Sequence, residues 1–434
     1  MKRVSEDSVQ DKSETQTFSS GKRARFFSSS SSTTSETMLS EPTSDVDTSV
    51  YPHWPDFAVA DLMFNCIRNS KDTIGRDKLV KQINSNSMAQ LNNQCNNKIE
   101  NWPIQLDLQQ RMETENTDKT AELDKAIKDA EDNLGVTEIR SAIMAKIQFL
   151  CKIGDFTNAI SLIEESSPKK ALSTLNSKLD LKFYHIRCLL FDLKNVRELC
   201  RVTTEAKKIL ENSGSADWDR KNRLKVYEGL VSFHAKRDFA SAIKLFLEVL
   251  PTYNCYEILD HKTFITYTVL FGMISLQRPQ LRDQIVKNSE IRQVLFNEPD
   301  VREFLNSLFE CRYMQFFRSL SQIEERLKQS RLWFPHFRYY VSELKIIAYN
   351  QHLESYNSLS LQSMADSFGI SAEMIDQDLS RLISTGRINC KIDKVNGHIN
   401  DLRPDEKNIQ YQELLKKGDL LLTRIQKLSR VISL

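Results

Sequence analysis

The residues able to do chemistry in this chain are scattered rather than clustered. Seven histidines (His53, His185, His234, His261, His336, His352 and His398) are available as metal ligands or general bases. None falls in an HExxH or HxH pair, so local spacing assembles no zinc site. Eight cysteines (Cys66, Cys95, Cys151, Cys188, Cys200, Cys255, Cys311 and Cys390) stand far apart, with no CxxC pair. In a long chain this reads as reduced, mostly buried thiols in cytosol or nucleus, not as a disulfide framework. No GxxxxGK[ST] phosphate loop or GxSxG elbow occurs, so neither that type of nucleotide hydrolysis nor that type of nucleophile has support. Distant residues can still converge on folding, but the expectation is a non-enzyme with no catalytic residue, metal or cofactor.

The clearest spacing belongs to apolar residues. From about Asn408 to Leu434, Tyr411, Leu414, Gly418, Leu421, Ile425, Leu428 and Ile432 step by three and four alternately, a heptad seam on one helix. A seam of this kind buries nothing by itself. It needs a partner helix, and we expect Tyr411, Leu414, Leu421, Ile425, Leu428 and Ile432 to be assembly residues. A different signal, GKRARFF, puts Lys22, Arg23 and Arg25 together near the N-terminus. It fits a nuclear import signal, although a basic patch in a solvated tail is the weightier reading.

The elements that must position these residues are helical. The chain has 434 residues, enough for two or three packed units, with a 40% hydrophobic and 27% charged composition. Only 11 Gly and 10 Pro are present, which favours long helices with short connections. The net charge of +2 gives no broad electrostatic footprint for nucleic acid. The N-terminus is polar and no apolar run approaches the ~18 residues of a membrane span, so no membrane partner is expected.

Residues 1–50 are rich in Ser, Thr, Glu and Asp and lack any hydrophobic period, so they read as a disordered tail. From residue 51 to about 225 the pattern is that of a helical-repeat, TPR-like solenoid. Within it, TAELDKAIKDAEDNLG places Leu123, Ile127 and Ala130 on one face of an amphipathic helix, with Gly135 as its stop. IQFLCKIGDFTNAISLI and LVSFHAKRDFASAIKLF align without gaps, matching Ile147 with Leu230, Asp155 with Asp238, Phe156 with Phe239 and Ala159 with Ala242. Each copy reads as a helix, a turn at the Asp-Phe pair and a second helix. The copies lie about two ~40-residue units apart, and LLFDLKNVRELC marks a blurred copy between them.

Residues 226–402 form the next unit, helical to about 356. One helix at 340–356 carries Tyr340, Leu344, Ile347 and Ala348 on one stripe. Residues 357–402 then read as a winged helix. Leu361, Met364, Ala365 and Phe368 line its first helix, with Gly369 as the stop and Ser371 as the next N-cap. Met374, Ile375, Leu379, Leu382 and Ile383 form the expected buried face of its second helix, which Gly386 ends. Ile388, Cys390 and Ile392 alternate as a strand, and Asn396-Gly397 signals a hairpin turn. A winged helix that bound DNA would use its second helix. Here that helix offers Glu373, Asp376 and Asp378 against the single Arg381, with only Lys391 and Lys394 on the wing, so protein packing is the favoured use. Residues 403–434 hold the terminal assembly helix.

A helical stack running into a winged helix and a terminal helix resembles the PCI family, whose members scaffold the proteasome lid, the signalosome and a translation initiation factor. Longer strings resemble, more narrowly, a non-ATPase subunit family of the proteasome regulatory-particle lid. These are DWDRKNRLKVYEG (Asp217 to Gly229), YEILDHKTFITYTV (Tyr256 to Val269), PHFRYYVSELKIIAYNQHLESY (Pro335 to Tyr356), GRINCKIDKVNG (Gly386 to Gly397), RPD (Arg403 to Asp405) and KKGDLLLTRIQKLSRVI (Lys416 to Ile432). The resemblance runs from about Tyr51 onward. Departures are Ser215-Ala216, a small insertion, and MAQLNNQC near Met88.

The resemblance implies a mainly α fold: a right-handed solenoid, a winged-helix PCI module and a C-terminal bundle helix. It implies a structural role in lid assembly for ubiquitin-dependent protein degradation. Its partners would be other lid subunits, through PCI domains and C-terminal helices, with the ATPase ring as a further candidate. It also makes Ile388, Cys390, Ile392, Asn396 and Gly397 a candidate winged-helix interface. Cytoplasm and nucleus are the expected locations. The alternatives are a PCI scaffold of the signalosome or translation initiation factor, or a winged-helix nucleic-acid-binding regulator.

Overall fold

The computed structural model describes residues 54–432 apart from 70–71, 100–101, 104–105, 169–173, 212–216 and 402–405. The expected tail, with Lys22, Arg23 and Arg25, lies outside the described residues, as does the RPD string.

Helices dominate the described chain. The first three, α1 (Phe57–Arg68), α2 (Thr73–Ser85) and α3 (Ala89–Lys98), share a small apolar cluster around Leu79, Leu91 and Cys95. The long α4 (Leu106–Asn133) buries Met112 and Ala130 and half-buries Leu123 and Ile127, while most of its other residues face solvent. Gly135 does not act as its left-handed stop. It has an ordinary φ of −84° and caps α5 (Val136–Ile153), because the Glu138 carboxylate folds back onto its backbone N–H.

From α5 onward each helix packs on the next: α6 (Phe156–Ser166), α7 (Leu175–Asp192), α8 (Val196–Glu211), α9 (Trp218–Val231), α10 (Phe239–Val249) and α11 (His261–Ser275). The two sequence copies have the same turn. Gly154 (φ 85°) and Arg237 (φ 56°) end the first helix of each pair in the left-handed region. Asp155 and Asp238 then cap the second helix, accepting from the backbone N–H of Asn158 and Ser241. Ala159 and Ala242 are fully buried where the helices meet. The blurred copy keeps the geometry, since Leu193 (φ 51°) ends α7 in the same way.

Next come α12 (Arg278–Leu281), α13 (Ser289–Asn297), α14 (Pro299–Phe309), α15 (Tyr313–Gln329) and α16 (Phe337–Leu353). One apolar core runs from Leu179 to Ile399 through all of these elements. The expected boundary at 225/226 therefore falls inside α9 and separates nothing: α9 packs on α7 and α8 on one side and on α10 on the other. At the centre Phe233, Phe271, Trp333 and Tyr340 cluster, with ring centroids 4.6 Å apart for the tilted pair Phe233–Trp333 and 5.1 Å for the edge-to-face pair Trp333–Tyr340. The N-terminal helices are pinned to this unit. Arg331 reaches Asp61 at 3.6 Å and the Leu190 carbonyl at 2.9 Å, and Arg68 donates to the Lys328 carbonyl at 2.7 Å.

Candidate assembly interface

The winged helix is built by local rules. Ser360 caps α17 (Leu361–Phe368) by accepting from the Ser363 N–H, and Gly369 (φ 66°) ends it. Ser371 stands at the start of α18 (Ala372–Ser384) with extended backbone but no capping side-chain bond. Strands β1 (Ser358–Ser360), β2 (Cys390–Asp393) and β3 (His398–Asp401) form an antiparallel sheet in the order β1-β3-β2, with Ile392 opposite Ile399. The wing turn takes four residues, 394–397, and not two. Asp393 accepts from the N–H groups of Val395 and Asn396, and Gly397 (φ 67°) closes the turn. Phe368 seats the module on α15 and α16, with ring centroids 4.8 Å from Tyr313 and 5.1 Å from Tyr349.

The wing residues divide. Ile388 and Cys390 are buried in the core, so their side chains offer no interface; strand alternation gives two faces without saying which is inside. Ile392 is half-buried, and Asn396 and Gly397 lie at the turn. The apolar side chain that the wing presents to solvent is Val395, 94% exposed, which sequence reasoning passed over. The outer edge of β2 carries no strand among the described residues, leaving backbone groups for pairing.

The second helix differs from expectation too. Ile375 and Leu379 are buried and Leu382 and Ile383 half-buried, but Met374 is exposed. Two of its three carboxylates are already engaged. Asp378 meets Lys345 at 3.1 Å and accepts from the Tyr349 hydroxyl at 3.2 Å, and Asp376 meets Lys394 at 3.0 Å. Glu373 alone remains exposed, so the helix is less acidic than its sequence implied. These pairs lock the module to α16 and brace the wing.

The terminal helix α19 (Glu406–Ile432) is different in kind. Every side chain described along it is exposed. Tyr411, Leu414, Leu421, Ile425, Leu428 and Ile432 stand on it at 57–79% exposure, and nothing approaches a Cβ built at Gly418 within 4 Å. Leu415, Leu420, Leu422 and Val431 widen the stripe. A continuous exposed apolar stripe of this length marks a contact site.

What holds the scaffold behind this surface was not foreseen. Glu257, in the connection between α10 and α11, lies between Arg187 of α7 at 2.8 Å and Arg223 of α9, and accepts from the Tyr227 hydroxyl at 3.2 Å. All three charges are within 3% of full burial. Nearby, Arg220 bridges Asp180 at 3.0 Å and Asp217. A second polar tie joins the start of α16 to the repeats: Arg237 Nε donates to His336 Nδ1 at 3.1 Å, so His336 Nε2 carries the proton and donates to the His234 carbonyl at 3.0 Å. Burial, with help from His234 and Arg237, pulls the imidazole of His336 down to about 4.

Cys151 Sγ and Cys188 Sγ lie 3.5 Å apart in the interior. All eight cysteines are free, six of them buried. Burial pushes the Cys95 thiol up to about 12 and Cys255 to about 11. At the exposed Cys311 burial also acts upward, but hydrogen bonds from Arg278 and Gln351 outweigh it and leave the thiol below its ordinary range. Among the described residues the one group of metal-type ligands is Glu164, His185 and Glu198.

The winged helix seated on stacked helices defines a PCI-domain protein, and residues 289–400 match the PCI domain family. Residues 107–284 match the family described as 26S proteasome subunit RPN7, and residues 410–432 match the RPN7/PSMD6 C-terminal helix. The chain is 43% identical over 327 residues to the 26S proteasome non-ATPase regulatory subunit 6 homolog of Arabidopsis thaliana, covering 75% of this chain and 83% of that one. It is 36% identical over 380 residues to the corresponding Dictyostelium discoideum subunit, covering 87% and 98%. Similarity to COP9 signalosome complex subunit 1 of Arabidopsis thaliana is weaker, 25% over 226 residues and 51% of each chain. The chain belongs to the family of 26S proteasome non-ATPase regulatory subunit 6, also called RPN7.

Proposed function

We propose that this chain is a structural, non-catalytic subunit of the proteasome regulatory-particle lid, acting in lid assembly for ubiquitin-dependent protein degradation. The observation that carries the reading is the exposed apolar stripe of α19, on the segment that matches the family's C-terminal helix. Its partners are other lid subunits, which supply helices to cover the stripe and winged helices to meet the wing edge. The ATPase ring is a further neighbour in this reading, and the protein works in cytoplasm and nucleus. This reading gives nucleic acid and membranes no part; Asp376 and Asp378 of α18 pair with Lys394 and Lys345, and no described helix is long and apolar enough to cross a membrane.

The test is affinity purification of the tagged chain from cell extract, followed by mass spectrometry. Lid subunits in stoichiometric yield are expected. Recovery of signalosome or initiation-factor subunits instead would contradict the assignment, and tight shifts of mixed DNA duplexes at low salt would contradict the exclusion of nucleic acid.

A further inference from the structure

Three side chains with no place in the assembly surface converge on one side of the repeat stack. Glu164 on α6, His185 on α7 and Glu198 on α8 each offer a ligand atom, and these atoms lie within 4.8 Å of one another. His185 is only 2% exposed, yet neither of its ring nitrogens has a hydrogen-bond partner among the described residues. Such a side chain is unusual, because a buried imidazole normally donates from one nitrogen and accepts at the other.

We propose that Glu164, His185 and Glu198 form a binding site for a divalent transition-metal ion of the zinc type. One imidazole and two carboxylates suit zinc, whereas magnesium and calcium prefer oxygen ligands throughout. Three protein ligands leave a fourth position for water, on the side where Glu164 is exposed. Lys182 on the same helix is the neighbouring cation. Arg201 Nε donates to the two Glu198 oxygens at 3.1 and 3.0 Å. A carboxylate has further lone pairs, so Arg201 orients Glu198 without occupying every position on it. Lys182 is itself held by Glu205 at 2.7 Å. The bound ion ties three successive helices and so staples one repeat pair to the next.

The test uses the full-length chain, stripped with EDTA and titrated with zinc by calorimetry, then with cobalt by absorption. One equivalent of zinc is expected, with a rise in the unfolding midpoint that tracks zinc concentration. The cobalt spectrum should lack a sulfur-to-cobalt charge-transfer band. His185→Gln and Glu164→Ala should each weaken binding by about tenfold or more, at least the loss typical of second-shell changes. If His185→Gln does not fold, Glu164→Ala at its exposed position decides alone. Absence of zinc binding, unchanged affinity in Glu164→Ala, or a charge-transfer band placing the ion on a thiolate would each overturn the site.

Discussion

Glu257 shows how much a single buried charge can hold. It pairs with Arg187 and Arg223 at once, and removing it takes that carboxylate away from two guanidinium groups in a low-dielectric interior. Breaking a buried pair in this way costs roughly 3–5 kcal/mol. Glu257→Ala should therefore lower the unfolding free energy by that amount in urea titrations, and a change below ~1 kcal/mol would mean that water reaches the site. His336 makes a pH-dependent contribution. As pH falls below its ordinary value of 6.5 the unfolded chain takes up a proton, whereas the folded chain does not until about 4. Stability is therefore lost between pH 6.5 and 4, at up to about 1.4 kcal/mol per pH unit for this one group. Urea titrations across that window should give a shallower slope for His336→Gln than for wild type; equal slopes would contradict the assignment. Neither feature was legible in the sequence. The Glu257 cluster joins residues far apart in the chain, and a histidine's partners are set by tertiary packing.

At the scale of elements, local chemistry was readable and side-to-side pairing was not. The matched Asp155 and Asp238 could be aligned because an N-cap depends only on the next three residues. The winged helix followed from its stops and strand period for the same reason. Which strand face turns inward depends on what lies beneath it, so Ile388 and Cys390 were misplaced at an interface. The acidity of α18 was overestimated because Lys345 and Lys394 come from other elements. Helix contact in the repeats gives a prediction of its own. A Cβ at Gly229 on α9 would sit 2.5 Å from Phe246 Cε1 on α10. Gly229 itself is helical, so alanine brings no backbone strain, and overpacking should dominate. Gly229→Ala is expected to destabilise by about 1–3 kcal/mol, measured by chemical denaturation. A gain in stability would show that Phe246 can move aside.

At the scale of the whole molecule the division is between a core that is complete and a helix that is not. One apolar core runs from the repeats into the winged helix, while the stripe of α19 faces solvent. The heptad spacing of that stripe was legible because it needs no knowledge of the fold. Its partner lies on another chain in this account, and no single sequence can name it. Burying each of its large side chains contributes roughly 1.5–3 kcal/mol, so one central charge should cancel much of the binding. The most direct measurement is the incorporation of Ile425→Asp into the lid, read by co-purification beside the thermal midpoint of the free variant. The account predicts that incorporation is lost while the midpoint stays at the wild-type value. Normal incorporation, or loss accompanied by unfolding of the free chain, would contradict it.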